Sequence, residues 1–288
     1  MKSFFLILII FTITVRAFQD QYNFSDDEKL TCEKIFDVDS CSDCQELIFK
    51  DFMEENDCST TFNLIKEVVK EVKKSNKDKE KIDPYDLTYF KKGLENYCDL
   101  PFNCDPNTAK KYWTEIEHVC AKELSEKVDW SSLPTKIDKT ELLVYGTLLN
   151  YYFGIPANHA LCLKPSHSED FCVIGITENL MEYTKKVTDD DPKPNFTVDL
   201  KYIIKNDSSK VPIPKKLFCD EKCYGSMVKI YKSWMKEYKL SSEVSENFYG
   251  SEEEFNDYLD CKHEDKRDVV RRTSGSYLSP FNSLVGLF

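Results

Sequence analysis

Apolar residues recur along this chain mostly at helical spacing. Phe62, Ile65, Val68, Val69 and Val72 fall on one helix face, and so do Tyr112, Trp113, Ile116, Val119 and Cys120. A further helix is predicted from Asp138 to Phe153, where Leu142, Leu143, Tyr145, Leu148, Leu149 and Tyr152 make the stretch apolar enough to be central. Start signals accompany the pattern. Ser25-x-x-Glu28, Asp138-x-x-Glu141 and Ser251-x-x-Glu254 have capping-box spacing, in which the first side chain accepts from a free amide and the glutamate reaches back. Asp105-Pro106 is another start, with aspartate as cap and proline at the first helical position, where its missing N–H costs nothing. Eight glycines in 288 residues argue against a Gly-rich phosphate loop, a dinucleotide-binding turn or a large β-sandwich. The predicted fold is mainly α, with little or no β-strand.

The pattern changes at both ends. Lys2 precedes an apolar run from Phe4 to Val15 that meets no charge until Arg16, too short for the roughly 20 residues that span a bilayer. Residues 1–17 read as a signal peptide cut after Ala17, so that the mature chain begins at Phe18 without a transmembrane segment. Residues 18–265 read as a single domain, with 18–83 and 84–265 as alternative sub-units. In the tail, 266–288, Lys266-Arg267 and Arg271-Arg272 are dibasic pairs, and cuts after Arg267 or Arg272 would trim it. Small residues Ser274 to Ser276 before an apolar stretch also resemble a lipid-anchor signal, although Ser279, Pro280, Asn282 and Ser283 interrupt it. A frayed, uncleaved end is the third reading.

Twelve cysteines fit the same oxidising route. They fall into three groups, Cys41, Cys44 and Cys58, then Cys98, Cys104 and Cys120, then Cys219, Cys223 and Cys261, with Cys32, Cys162 and Cys172 outside. If all are oxidised, each group of three must send at least one sulfur elsewhere. Cys162 and Cys172 are expected to close their own loop, and at least two of the remaining bridges must then tie distant parts together. That favours one stapled unit, although the full connectivity does not follow from the sequence. Asn23, Asn195 and Asn206 head N-glycosylation sequons. The last two lie in 189–214, where repeated proline predicts a surface connection.

Charge and chemistry mostly exclude. A formal net charge of −12 opposes binding to nucleic acid or to anionic membranes. The lysines between Lys66 and Lys81 are interrupted by Glu67, Glu71, Asp78 and Glu80, which reads as a solvated face and loop, not a polyanion site. Cys41-Ser42-Asp43-Cys44 has redox spacing without a βαβ context, so structural bridges are expected there. His118, His159, His167 and His263 fall at no metal-binding spacing, and Tyr224-Gly225-Ser226-Met227 lacks the closing glycine of a nucleophile elbow. No catalytic, cofactor or metal residue is nominated.

The order Tyr97-Cys98, Cys104, Cys120, then Leu142 to Tyr152, Cys162-Leu163-Lys164, Phe171-Cys172-Val173, Pro212 and Cys219-x-x-x-Cys223 resembles a family of fungal secreted, cysteine-rich proteins of unknown function. The likeness covers a little over half of the chain, and its most specific part is the Cys-Leu-Lys to Phe-Cys-Val step. It implies a secreted or cell-surface domain, often with a lipid anchor, and brings no catalytic residues. The leading expectation is therefore a non-enzymatic interaction or structural protein with an extracellular or cell-wall partner. The alternatives are an extracellular hydrolase with an unrecognised carboxylate site and a carrier of a small apolar ligand.

Overall fold

The computed structural model describes residues 31–53, 56–75, 87–125, 139–165, 170–188, 195–196, 202–205, 209–219, 223–249 and 261. In chain order these form α1 (Cys32–Phe36), α2 (Asp43–Met53), α3 (Thr60–Ser75), α4 (Thr88–Asp99), α5 (Pro106–Val119), α6 (Ala121–Ser125), α7 (Lys139–Tyr152), α8 (Gly154–Leu161) and α9 (Cys172–Thr188). Strands β1 (Asn195–Phe196), β2 (Tyr202–Ile204) and β3 (Lys210–Pro212) follow, then α10 (Lys216–Cys219), α11 (Tyr224–Glu237) and α12 (Ser242–Tyr249). The fold is mainly α and stapled by six disulfides.

Helix starts show local chemistry at work. Asp105 caps α5 by accepting from the amides of Asn107 (2.9 Å) and Thr108 (3.2 Å), with Pro106 inside the first turn. The Thr108 hydroxyl also donates to Asp105, and this bond, ahead of the amides, holds the carboxylate below its usual pKa. Removing the cap in Asp105→Ala lowers the melting temperature by a few degrees at neutral pH. Because the folded pKa is lowered, the difference from wild type shrinks as pH falls through that pKa, which a series of melts in acid will check. A capping box that the pattern had not singled out opens α2. Gln45 N donates to Ser42 Oγ (3.2 Å) and Ser42 N to Gln45 Oε1 (3.0 Å), while Gln45 Nε2 reaches Thr140 on α7 (3.0 Å). The Ser25 and Ser251 boxes, and Asp138, lie outside the described residues.

The apolar faces close on α7, which contacts α2, α3, α5, α6 and α8. Val144, Tyr145, Leu148, Leu149, Tyr151 and Tyr152 are all buried on it, as a central helix requires. On α5 the buried stripe is Ala109, Trp113, Ile116 and Cys120. Val119, expected on that face, is instead exposed, because the helix ends there and the chain turns into α6. On α3 the deepest residues are Thr60, Thr61, Leu64 and Ile65, with Phe62 only half-buried. The face is rotated because the first turn packs under the α7–α8 junction. There Thr60 Oγ1 donates to the Gly154 carbonyl (2.6 Å) and Asn150 bridges Ser59 and Thr61.

The proline-rich stretch 189–214 is more than a connection. It holds a small antiparallel sheet in the order β1-β2-β3, with Ile203 opposite Val211. Proline at the end of β3 fits a short edge strand, and Ile203 and Ile213 bury against the helices.

Candidate functional site

The cysteines are the sequence-nominated residues the structure describes most fully. All twelve are paired: Cys32–Cys41, Cys44–Cys120, Cys58–Cys104, Cys98–Cys162, Cys172–Cys223 and Cys219–Cys261. The expected Cys162–Cys172 loop is not formed. Cys162 follows the last turn of α8 and meets the last turn of α4 at Cys98, whereas Cys172 opens α9 and meets Cys223 at the head of α11. These four sulfurs lie at helix ends, and proximity along the chain does not outweigh where helix packing puts them. Five bridges span 42 residues or more, so more of the chain is tied at long range than parity alone required. Cys41 and Cys44 bond to separate partners, as structural bridges do.

Titratable groups offer little poised chemistry among the described residues. His118 and His159 are exposed, and His167 and His263 lie outside the description. Cys44, Cys120 and Glu123 bring three ligand atoms within 4.8 Å of one another, but both sulfurs are consumed in one disulfide and cannot act as thiolates. Along α3, Glu67 pairs with Lys70 (2.6 Å) and Glu71 with Lys74 (2.5 Å), while residues 76–81 of the lysine-rich stretch lie outside the described residues. Lys91 on α4 forms an ion pair with Asp170, and Lys164 lies 4.3 Å over the Phe171 ring. Ser226 is exposed on the first turn of α11. Of the sequons, Asn195 begins β1, while Asn23 and Asn206 are not described, nor are Ala17, Arg267 and Arg272.

Burial instead perturbs tyrosines. It raises Tyr97 and Tyr231, and it pushes Tyr145 up to about 12 while its hydroxyl donates to the Leu124 carbonyl (2.9 Å). A raised folded pKa means stability that is present below pH 10 and lost as pH climbs towards 12. Tyr145 alone contributes on the order of 2 kcal/mol to that loss. Tyr145→Phe therefore flattens the alkaline limb of a stability-versus-pH curve, and an unchanged limb contradicts this.

The densest unusual grouping is aromatic. Trp113 from α5, Tyr152 from α7, Phe153 at the α7–α8 junction, Tyr231 and Trp234 from α11, and Tyr238 just beyond it form one connected set. Trp113 stands edge-on to Tyr152 (5.3 Å), Trp234 (6.0 Å) and Tyr238 (6.3 Å), and Phe153 edge-on to Tyr231 (5.5 Å). Tyr152 Oη donates to the Tyr238 carbonyl (2.7 Å). Trp113 Nε1, Trp234 Nε1 and Tyr231 Oη, all buried, meet no hydrogen-bond partner among the described residues. The sequence placed Trp113 in a core stripe. Trp234 escaped notice, although it falls three residues after Tyr231 and seven after Met227, on the same helix face.

In comparison with known proteins, the chain matches no protein-family profile, no curated protein and no solved structure.

Proposed function

We propose that this is a secreted or cell-surface protein with a non-enzymatic role, an interaction or structural module that engages an extracellular or cell-wall partner. The observation that carries the reading is the disulfide framework, in which every cysteine is paired and five bridges join distant segments. Such a set is characteristic of chains that mature along an oxidising route. Among the described residues no helix is long and apolar enough to cross a membrane, which is compatible with release or with attachment by other means. The apolar run before Ala17 supplies the entry signal, and the likeness to fungal secreted, cysteine-rich proteins points the same way. A lipid anchor at the tail would retain the product at the surface.

Expression of the full chain in a eukaryotic secretory host tests this. The expected product appears in the medium, begins at Phe18 and carries N-glycan at one or more of Asn23, Asn195 and Asn206. Retention in the cytosol with reduced cysteines would overturn the reading. Screening the same product against polysaccharide, lipid and peptide substrates tests the non-enzymatic half. Turnover abolished by a single Asp or Glu substitution would replace it with the hydrolase.

A further inference from the structure

Helix α11 carries an unanswered positive flank. Its 14 residues include Lys229 and Lys236, both exposed, the half-buried Lys232, and a single acid, Glu237, at the last position. At 3.6 residues per turn the three lysines fall within about 60° of arc, and they climb the axis in steps of about 4.5 and 6 Å. Like charges three and four residues apart destabilise a helix. On α3 that cost is offset, since Lys70 and Lys74 each pair with a glutamate. Among the described residues none of the three α11 lysines has an ion-pair partner, in a chain with 51 acidic side chains against 39 basic. Folding therefore leaves this flank without the carboxylates that the composition could have placed there.

The neighbouring residues narrow the partner. Ser226 and Ser233 are exposed beside the lysines and complete an arc of about 120°, and a Cβ on Gly225 at its head would meet nothing within 4 Å. The arc offers ammonium and hydroxyl groups and no aromatic or large apolar side chain, whereas a stable protein interface is built around such anchors. An anionic bilayer likewise calls for an apolar face that can enter it. A densely sulfated or phosphorylated polymer brings more negative charge than three lysines neutralise, and the protein's formal net charge of −12 repels the excess. A polymer with single, spaced carboxylates separated by hydroxyls meets none of these objections.

We infer that the Lys229, Lys232 and Lys236 flank of α11 docks an acidic polysaccharide of the uronic-acid type, its carboxylates paired with the ammonium groups and its hydroxyls with Ser226 and Ser233. This names the chemistry of the extracellular partner proposed above and rests on that reading only for where such a polymer is met.

The test uses the full-length, disulfide-intact chain, with oligogalacturonate as the probe and titration calorimetry at low ionic strength as the readout. Saturable binding that weakens as salt is raised is expected, with no response to neutral dextran. The triple variant Lys229→Gln, Lys232→Gln, Lys236→Gln should keep the far-ultraviolet circular dichroism of wild type and bind about tenfold more weakly, the equivalent of three exposed ion pairs. A control with the same loss of charge on α3, Lys70→Gln, Lys73→Gln, Lys74→Gln, should bind as wild type does. Absence of saturable binding to oligogalacturonate overturns the inference, as does binding of dextran sulfate in its place, and so does an equal loss of affinity in the two triple variants. The titration is made on purified protein, so its failure leaves the secretory reading standing, and retention of the chain in the cytosol leaves the titration result intact.

Discussion

Replacing Cys44 and Cys120 together by alanine will lower the unfolding free energy by about 3.7 kcal/mol, clearly more than removing the short Cys32–Cys41 bridge. The two residues are 76 apart, and that span alone corresponds to about 4.5 kcal/mol of lost chain entropy in the unfolded state. The Cys58–Cys104 bridge lies within the span and shortens the closed path to residues 44–58 and 104–120. Roughly thirty residues remain, worth about 3.7 kcal/mol. Cys32–Cys41 encloses a separation of only 9, worth about 2.6 kcal/mol, and fastens the terminal helix α1. Denaturant midpoints for the two double variants, each with the other five bridges intact, decide the order. Equal losses, or a greater loss for the Cys32–Cys41 variant, would contradict the long-range stapling.

A second large effect comes from a single methyl group. A Cβ built on Gly154 would lie 2.2 Å from the carbonyl oxygen of Cys58, a backbone atom of a residue disulfide-bonded to Cys104. Neither partner can step aside easily. Thr60 donates to the Gly154 carbonyl (2.6 Å), and the junction between α7 and α8 is buried on both sides. Gly154→Ala should therefore cost about 3 kcal/mol, the upper end of ordinary overpacking. Gly146, inside α7, is the control, since its Cβ would meet nothing within 4 Å. Gly146→Ala should stabilise by about 0.5–1 kcal/mol through helix propensity and reduced freedom of the unfolded chain. If both substitutions behave alike, the close approach at Cys58 is wrong.

These two positions show where the sequence speaks and where it stops. Helical periodicity is a local property, so the Trp113 stripe and the central apolar stretch around Leu148 were legible, and Asp105-Pro106 marked its helix start to the residue. Side-chain exposure at helix ends was not legible, because Val119 keeps the period of its helix but lies where the chain turns away. Pairing of cysteines was legible only as a parity constraint. Which sulfur meets which depends on helix packing, and that packing places Cys162 against Cys98 across 64 residues when Cys172 is far nearer along the chain. The short sheet was hidden for a similar reason. Strands of two or three residues give too few positions for an alternating pattern, and their prolines read as loop. The aromatic centre was half legible. Its residues carry helical spacing, but the packing of the indoles against Tyr152 and each other emerges only when α5, α7 and α11 are brought together.

The central claim is that one continuous disulfide framework, formed on an oxidising route, builds this protein. Proteolysis of the full chain, expressed through a secretory host, under non-reducing, thiol-blocked conditions, followed by mass spectrometry of the linked peptides, tests it most directly. The expected map joins Cys32 to Cys41, Cys44 to Cys120, Cys58 to Cys104, Cys98 to Cys162, Cys172 to Cys223 and Cys219 to Cys261, with no alkylated cysteine. A Cys162–Cys172 linked peptide, or stoichiometric labelling at Cys41 and Cys44, would contradict it.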